Sequence, residues 1–278
     1  MVKIGRNNQL RIIKKVDFGV YLDGEDLGNI LLPKRYLPKQ YALDELIDVF
    51  LYFDSDDLLI ATTETPKAMV NECACLTVAA VNRVGAFLDW GLAKELLVPF
   101  GEQEKPLIEG NRYVVFVYID DSGRIVASTK LSDHLGEQSD YFKAGQAVDL
   151  LISGRTDLGY KAVINHHHLG LIFQNEIFQP LKIGQRVKGY IKTIRDDQKI
   201  DLSLQPSSDI QSRQSVDEKI IQYLKEHDGT TTLTDKSPPE LIYSELGISK
   251  GAFKRAVGSL YKQRKITIKN KLINLVDQ

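Results

Sequence analysis

The chain has 278 residues, and 36 Lys+Arg against 37 Asp+Glu leave a formal charge of −1, so the average field names no partner class. A hydrophobic content of 43% with 26% charged residues supplies real cores and excludes global disorder, and the length points to two domains or more. No window approaches the roughly 18 apolar residues of a membrane helix, and Met1-Val2-Lys3-Ile4-Gly5-Arg6-Asn7 has no apolar signal core. With Cys73 and Cys75 two apart on one strand face, a poor disulfide geometry, the expectation is a cytoplasmic protein with reduced thiols.

In chain order, the first segment carries Gly19-Val20-Tyr21-Leu22-Asp23, Ile30-Leu31-Leu32-Pro33, Val49-Phe50-Leu51-Tyr52-Phe53-Asp54 and Leu59-Ile60-Ala61. The second repeats it as Gly85-Ala86-Phe87-Leu88-Asp89, Glu95-Leu96-Leu97-Val98-Pro99, Val115-Phe116-Val117-Tyr118-Ile119-Asp120 and Ile125-Val126-Ala127-Ser128. A looser third copy runs from Gly159-Tyr160-Lys161-Ala162-Val163 through Leu169-Gly170-Leu171-Ile172-Phe173 to Ile200-Asp201-Leu202-Ser203-Leu204. One module used three times is the simplest account. Its short β-branched and aromatic runs, broken by Gly, Asp, Asn and Pro, read as strands and tight turns. In the third copy the pattern predicts strands over 147–152, 160–164, 169–173, 185–194 and 199–204, with one helical turn over 174–178. Five strands in so short a span match a Greek-key OB barrel, whose face binds oligonucleotides.

After Gln205-Pro206-Ser207-Ser208-Asp209 the period becomes helical. Ser215 with Glu218 reads as a capping box for a first helix, Ser237 with Pro238 as the start of a second that stops at Gly247, and Ser249 as the cap of a third over 250–263. Phe253, Val257, Leu260 and Tyr261 are assigned inward, a short strand falls at 231–233, and Ile266-Thr267-Ile268 with Leu272-Ile273-Asn274-Leu275 forms a hairpin. This is the element order of a winged helix. The predicted fold class is therefore mainly β with a small α+β domain: three tandem five-stranded OB barrels at 1–62, 63–130 and 145–206, then a winged-helix domain at 212–278.

Charge is polarised along this order. From Ile248 onward there are eight cations and one anion, a charge of +7 that leaves −8 for residues 1–247. A basic end on an acidic body is the footprint of phosphate contact, although Lys and Arg also serve as solvated helix faces.

The run from Ile183-Gly184-Gln185-Arg186 through Gly189-Tyr190-Ile191-Lys192 to Lys199-Ile200-Asp201-Leu202-Ser203-Leu204 resembles the second half of the ribosomal-protein S-one-type RNA-binding module, and Gly85-Ala86-Phe87-Leu88 resembles its second strand. The whole chain, with Asp89-Trp90-Gly91-Leu92, Asn175-Glu176-Ile177-Phe178, Phe253-Lys254-Arg255-Ala256 and Leu260-Tyr261-Lys262, resembles the bacterial conserved virulence factor B family. That resemblance implies a cytoplasmic RNA-binding protein acting after transcription on secreted and virulence-related genes, with its third barrel and winged helix as the binding surface.

The S-one family's aromatic-Gly-x-aromatic pattern is kept as Phe18 and Tyr21 in the first module, but reads Val84 and Phe87 in the second and Leu158 and Lys161 in the third. The family's frequent His at the end of the third strand is Pro33 and Pro99 in the first two modules. Barrel core stays open for Phe18, Phe87 and Phe173, whereas Tyr21 and Tyr160 are read as surface. Among the third barrel's cations, Arg186, Lys188 and Lys192 share one strand face, and a phosphate track over barrel and winged helix is expected, with solvated pairing to Asp149, Asp157, Asp196, Asp197 and Asp201 as the alternative. The candidate nucleic-acid contacts are Tyr160, Lys161, Arg186, Lys188, Tyr190, Lys192, Arg195 and Lys199, then Lys250, Lys254, Arg255, Lys262, Arg264, Lys265, Lys269 and Lys271, with Tyr21, Phe87, His166 and His167 as further candidates.

His166-His167-His168 does not converge on one ion, and Asp54, Asp56, Asp57, Asp120 and Asp121 fall in equivalent turns, so no metal site is read from either. No cofactor, nucleophile motif or catalytic residue is expected. The leading expectation is a regulator that binds single-stranded RNA. The alternatives are a DNA-binding transcriptional regulator and a scaffold on the ribosome or RNA-decay proteins.

Overall fold

The computed structural model spans residues 1–278 and describes all but 139–140, 175–176, 178–179, 207–210, 270–271 and 277–278, together with the side chains of 211–215 and 269. Each repeat is a closed five-stranded barrel. The first contains β1 (Asn7–Val16), β2 (Gly19–Asp23), β3 (Asn29–Pro33), β4 (Leu46–Phe53) and β5 (Leu59–Thr62). The second contains β6 (Glu72–Asn82), β7 (Gly85–Asp89), β8 (Leu96–Pro99), β9 (Arg112–Ile119) and β10 (Ile125–Ser128), followed by the short helix α1 (Leu131–His134). The third contains β11 (Ala147–Thr156), β12 (Gly159–Ile164), β13 (His168–Phe173), β14 (Arg186–Ile194) and β15 (Ile200–Ser203).

Closure follows one rule. Asn7–Arg11 of β1 pair with β4 while Ile12–Val16 pair with β2, and a register shift between Ile12 and Lys14 bends the strand from one partner to the other. β6 repeats the arrangement, with β9 along Glu72–Thr77, β7 along Thr77–Asn82 and a shift between Val78 and Ala80. The barrels are completed by parallel pairing of β3 with β5, β8 with β10 and β13 with β15. A single 3-10 turn follows the third strand in the first two barrels, Lys34–Tyr36 and Phe100–Glu102. The expected turn at 174–178 lies mostly outside the described residues.

Period-two alternation fills the interiors. Leu22, Ile30, Leu32 and Leu51 are buried in the first barrel and Leu88, Leu96, Val98 and Val115 in the second. These two barrels share one core, because Phe50 and Tyr52 from β4 meet Trp90 edge-on at ring separations of 5.7 and 6.5 Å. The Trp90 indole N–H donates to the Lys94 carbonyl, Val70 N–H donates to Gly5 O, and Arg6 pairs with Glu72 at 2.9 Å. The chain divides into two compact units. One comprises Met1–Glu137, Val163–Leu169 and Ile183–Arg186, and the other Gln138–Ala162, Gly170–Lys182 and Val187–Gln278.

The C-terminal domain contains α2 (Gln211–Glu226), β16 (Thr230–Thr231), α3 (Pro239–Leu246), α4 (Lys250–Lys262), β17 (Ile266–Lys269) and β18 (Leu272–Leu275), with sheet order β16-β18-β17. Ile220, Leu224, Ile242, Phe253, Val257, Leu260 and Ile273 form its core. Ser249 caps α4 by accepting from Ala252 N–H at 2.9 Å, and Gly247 ends α3 in the left-handed region at φ 63°. Two expected starts are corrected. Helix α2 begins four residues before Ser215, which therefore lies within the helix and cannot supply the non-helical cap geometry. Pro238 is the N-cap of α3, with Pro239 at the position its fixed φ favours. Ser237 instead accepts from Thr234 N–H in the preceding turn.

Gly19, Gly85 and Gly159 open the second strand of each barrel, where a Cβ would collide with the backbone carbonyls of Leu32, Val98 and Ile172 respectively. Gly85→Ala is expected to destabilise the shared body of the first two barrels by about 1–3 kcal/mol, the usual cost of overpacking. Thermal unfolding against wild type checks this, and an unchanged midpoint would contradict the close approach.

Candidate nucleic-acid interface

In the third barrel the structure assigns the expected cations different tasks. Lys161 is exposed on β12, and Tyr160 beside it is half-buried, with the Arg155 guanidinium 6.0 Å from its ring centre. On β14, Arg186, Lys188 and Lys192 are exposed and Tyr190 is half-buried, as the alternation requires, but the pairing with β15 shifts register between Ile191 and Thr193. The Arg186 guanidinium donates to Cys73 O at 3.0 Å, Lys188 pairs with Asp149 at 2.6 Å, and Arg195 is held by Asp201 at 2.7 Å while lying 5.3 Å from the Phe173 ring centre. Lys199 is 3.9 Å from Asp197. Salt pairing, the alternative to a phosphate track, thus accounts for Lys188, Arg195 and the long contact of Lys199. The Lys188 and Lys199 pairs are exposed and contribute little to stability, about 0–1 kcal/mol, whereas Asp201 is largely buried beside Arg195.

The first barrel holds a better-formed aromatic face. Phe18 is 57% exposed and meets Tyr21 edge-on at 6.4 Å, so the core alternative fails for Phe18. Lys14 stands opposite Tyr21 across the β1–β2 ladder, and Lys15 lies 4.7 Å from the Tyr41 ring centre. Sequence reasoning left Phe18 undecided because it occupies the β1–β2 turn, where strand alternation assigns no face. In the second barrel Phe87 is half-buried and stands opposite Ala80, so no cation faces it across the β6–β7 ladder. It lines a cleft of about 430 Å³ with Tyr52, Trp90, Lys94 and Arg124. Lys94 is committed there to Asp57 at 2.8 Å, and its bond holds the Asp57 carboxyl below the ordinary range.

Within the winged helix, Lys254, Arg255 and Lys262 of α4 are exposed, as are Arg264 and Lys265 after it. Among the described residues no ion pair is formed by any of these five. Lys250 is different, donating to Ser237 O at 2.9 Å. Lys269 ends β17, with its side chain outside the described residues, as is Lys271 altogether. Tyr261 corrects the inward assignment: it is 54% exposed, because the buried stripe of Phe253, Ala256, Val257 and Leu260 turns away from it.

The His166 expectation also changes. His167 is exposed, but the His166 ring accepts from Cys73 N–H through Nδ1 at 2.9 Å, and the Cys73 thiol faces the His166 carbonyl at 3.9 Å. With the Arg186 bond to Cys73 O, both polar groups of one β6 peptide segment are satisfied from the third repeat. Burial pushes the Cys73 thiol up to about 12. The acidic turns behave as expected: Asp54 accepts from Asp56 and Leu58 N–H, and Asp120 from Ser122 and Arg124 N–H. Burial alone would raise the Asp120 carboxyl, but the Ser122 hydroxyl, then the Arg124 N–H and guanidinium, outweigh it and hold it at about 2.

Residues 218–275 match the CvfB-like winged helix domain, and residues 4–64 and 72–130 match the S1 domain. Uncharacterized protein YitL of Bacillus subtilis is 30% identical, covering 96% of this chain and 91% of that protein. Conserved virulence factor B of Staphylococcus saprophyticus is 26% identical over 86% of this chain and 82% of its own length, and that of Staphylococcus aureus strain N315 is 26% identical over 91% and 88%. The chain belongs to the conserved virulence factor B family. A solved multidomain protein with nucleic acid binding domains from Streptococcus pneumoniae aligns over 98% of each chain at 24% identity, with a TM-score of 0.41. The S1 and winged-helix domains of this family member are of nucleic-acid-binding type, and a nucleic-acid partner follows from them.

In this family member the His166 contact should titrate. Burial first, then the positive charge of Arg186, lower its proton affinity against the opposing pull of Glu72. The folded state then binds fewer protons than the unfolded state below about pH 6.5, so the contribution is present above that pH and lost as pH falls. Protonation would also remove the acceptor that Cys73 N–H uses. The stability difference between wild type and His166→Ala should therefore be about 1–3 kcal/mol at neutral pH and shrink toward pH 5.5. Chemical denaturation across that range checks it, and a pH-independent difference would contradict it.

Proposed function

We propose that the chain is a cytoplasmic regulator acting after transcription, a binding protein and not an enzyme, that holds single-stranded RNA through its third barrel and winged helix. The observation that carries this reading is the exposed face of α4, where Lys254, Arg255 and Lys262 stand on a helix without a single acidic residue. Lys161 and Lys192 on the third barrel, with Tyr160 and Tyr190 beside them, supply the complementary barrel contacts. Phe18 and Tyr21 support a further stacking site on the first barrel, so the first module does more than space the others. The α3–Gly247–α4 arrangement is a helix-turn-helix, which favours duplex DNA as the second reading.

Fluorescence anisotropy of the full chain with labelled single-stranded RNA, single-stranded DNA and duplex DNA across a salt series separates these readings. Each phosphate contact on a single strand contributes about 0.7 to the log–log salt slope. The combined Lys254→Ala, Arg255→Ala, Lys262→Ala variant should flatten the RNA slope by about 2. Phe18→Ala with Tyr21→Ala should weaken RNA binding by about 1–3 kcal/mol per stacked base while leaving the slope unchanged. Preference for duplex DNA would replace the RNA reading, and failure to bind any nucleic acid would leave a scaffold that docks proteins of translation or RNA decay.

A further inference from the structure

The exposed face of α4 carries more than charge. At about 100° per residue, Tyr261 lies within roughly 20° of Lys254, Gly258 about 40° to the other side, and Lys262 and Arg255 beyond it. All five are exposed, so they form one strip along the helix. Tyr261 is the aromatic residue of that strip, and among the described residues its side chain makes no hydrogen bond, ring stack or cation contact. A large ring left in water without a partner is the feature expected of a stacking platform.

Gly258 is the second observation. Glycine is the poorest helix former after proline, and an interior position costs stability unless close approach requires it. Here the fold makes no such demand. Gly258 is absent from the positive-φ positions, and a Cβ added to it would meet nothing within 4 Å. Gly251 on the same strip differs, since an added Cβ would meet the Arg255 guanidinium at 3.7 Å. Gly258 therefore leaves an uncovered patch of backbone one turn from Tyr261, flanked by Lys254 and Lys262.

We propose that Tyr261 and Gly258 select an unpaired strand: one base stacks on the Tyr261 ring while its phosphodiester backbone passes over Gly258 between Lys254 and Lys262. This rests on the reading of α4 as a nucleic-acid surface and adds the two residues that would distinguish an unpaired strand from a duplex there. Charge complementarity supports the occupant, because the strip has cations, a π-face and no carboxylate. A duplex offers phosphates to the same lysines but keeps its bases stacked on one another, so the ring would have nothing to receive.

The test uses the full chain with fluorescein-labelled oligouridylate and with a fully paired RNA duplex. Tyr261→Leu should weaken oligouridylate binding about tenfold with an unchanged salt slope, and Tyr261→Phe should restore it, since stacking needs the ring and not the hydroxyl. Gly258→Gln should raise the thermal midpoint, because glutamine favours the helix, yet weaken oligouridylate binding severalfold by covering the backbone. Duplex affinity should change less than twofold in Tyr261→Leu. If Tyr261→Leu and Gly258→Gln bind oligouridylate like wild type while Lys254→Ala with Lys262→Ala flattens the slope, the proposal is overturned and the nucleic-acid reading of α4 stands. If that lysine pair also leaves the slope unchanged, both are overturned. Equal losses on single strand and duplex would overturn strand selection alone.

Discussion

A five-stranded sheet can close into so narrow a barrel only if one long strand turns from one neighbour to another along its length. β1 and β6 do this at equivalent places, pairing first with the fourth strand and then, past a register shift, with the second. In each barrel the second strand lies hard against the third, and glycine stands where the Leu32, Val98 and Ile172 carbonyls approach. The bend brings the β1–β2 turn to the surface, where Phe18 and Tyr21 are held at the edge of the barrel. Closure sets the place, and the aromatic pair there belongs to the first barrel alone, since the others carry Val84 with Phe87 and Leu158 with Lys161.

The three barrels put the same frame to different uses. The first keeps an exposed Phe18 against a half-buried Tyr21 with Lys14 opposite, the second gives its Trp90 to a core shared with Phe50 and Tyr52, and the third exposes Lys161 and Lys192. Sharing a core removes the independence that tandem modules would otherwise have, since Arg6, Gly5 and Val70 also cross between the first two repeats. The winged helix follows a different logic: its apolar stripe is narrow enough that the opposite side of α4 carries Lys254, Arg255 and Lys262 with no carboxylate among them. Charge on that face costs the fold little, because it is solvated.

The repeat, the strand count and the winged-helix order were legible because period two and period 3.6 mark buried faces directly. The caps at Ser249 and Gly247 and the turns at Asp54 and Asp120 were equally legible, since their chemistry is local to a few residues. Ser215 was misread because a capping box is a pattern that a helix can also run through. Tyr261 was misread because its neighbour Leu260 is buried, and a residue one step along a helix can belong to either side of a stripe edge.

By itself, the sequence determined the class of every module and the polarised charge, because alternation, turn chemistry and net charge depend only on residue order. Tertiary structure decided which charged and aromatic groups remain available. Lys188 and Arg195 looked equivalent to Lys161 until folding brought Asp149 and Asp201 beside them, and His166 and Arg186 became ligands of the Cys73 peptide only when residues 93 and 113 positions apart met. Pairing between residues so distant in the chain depends on three-dimensional proximity, which no local spacing encodes.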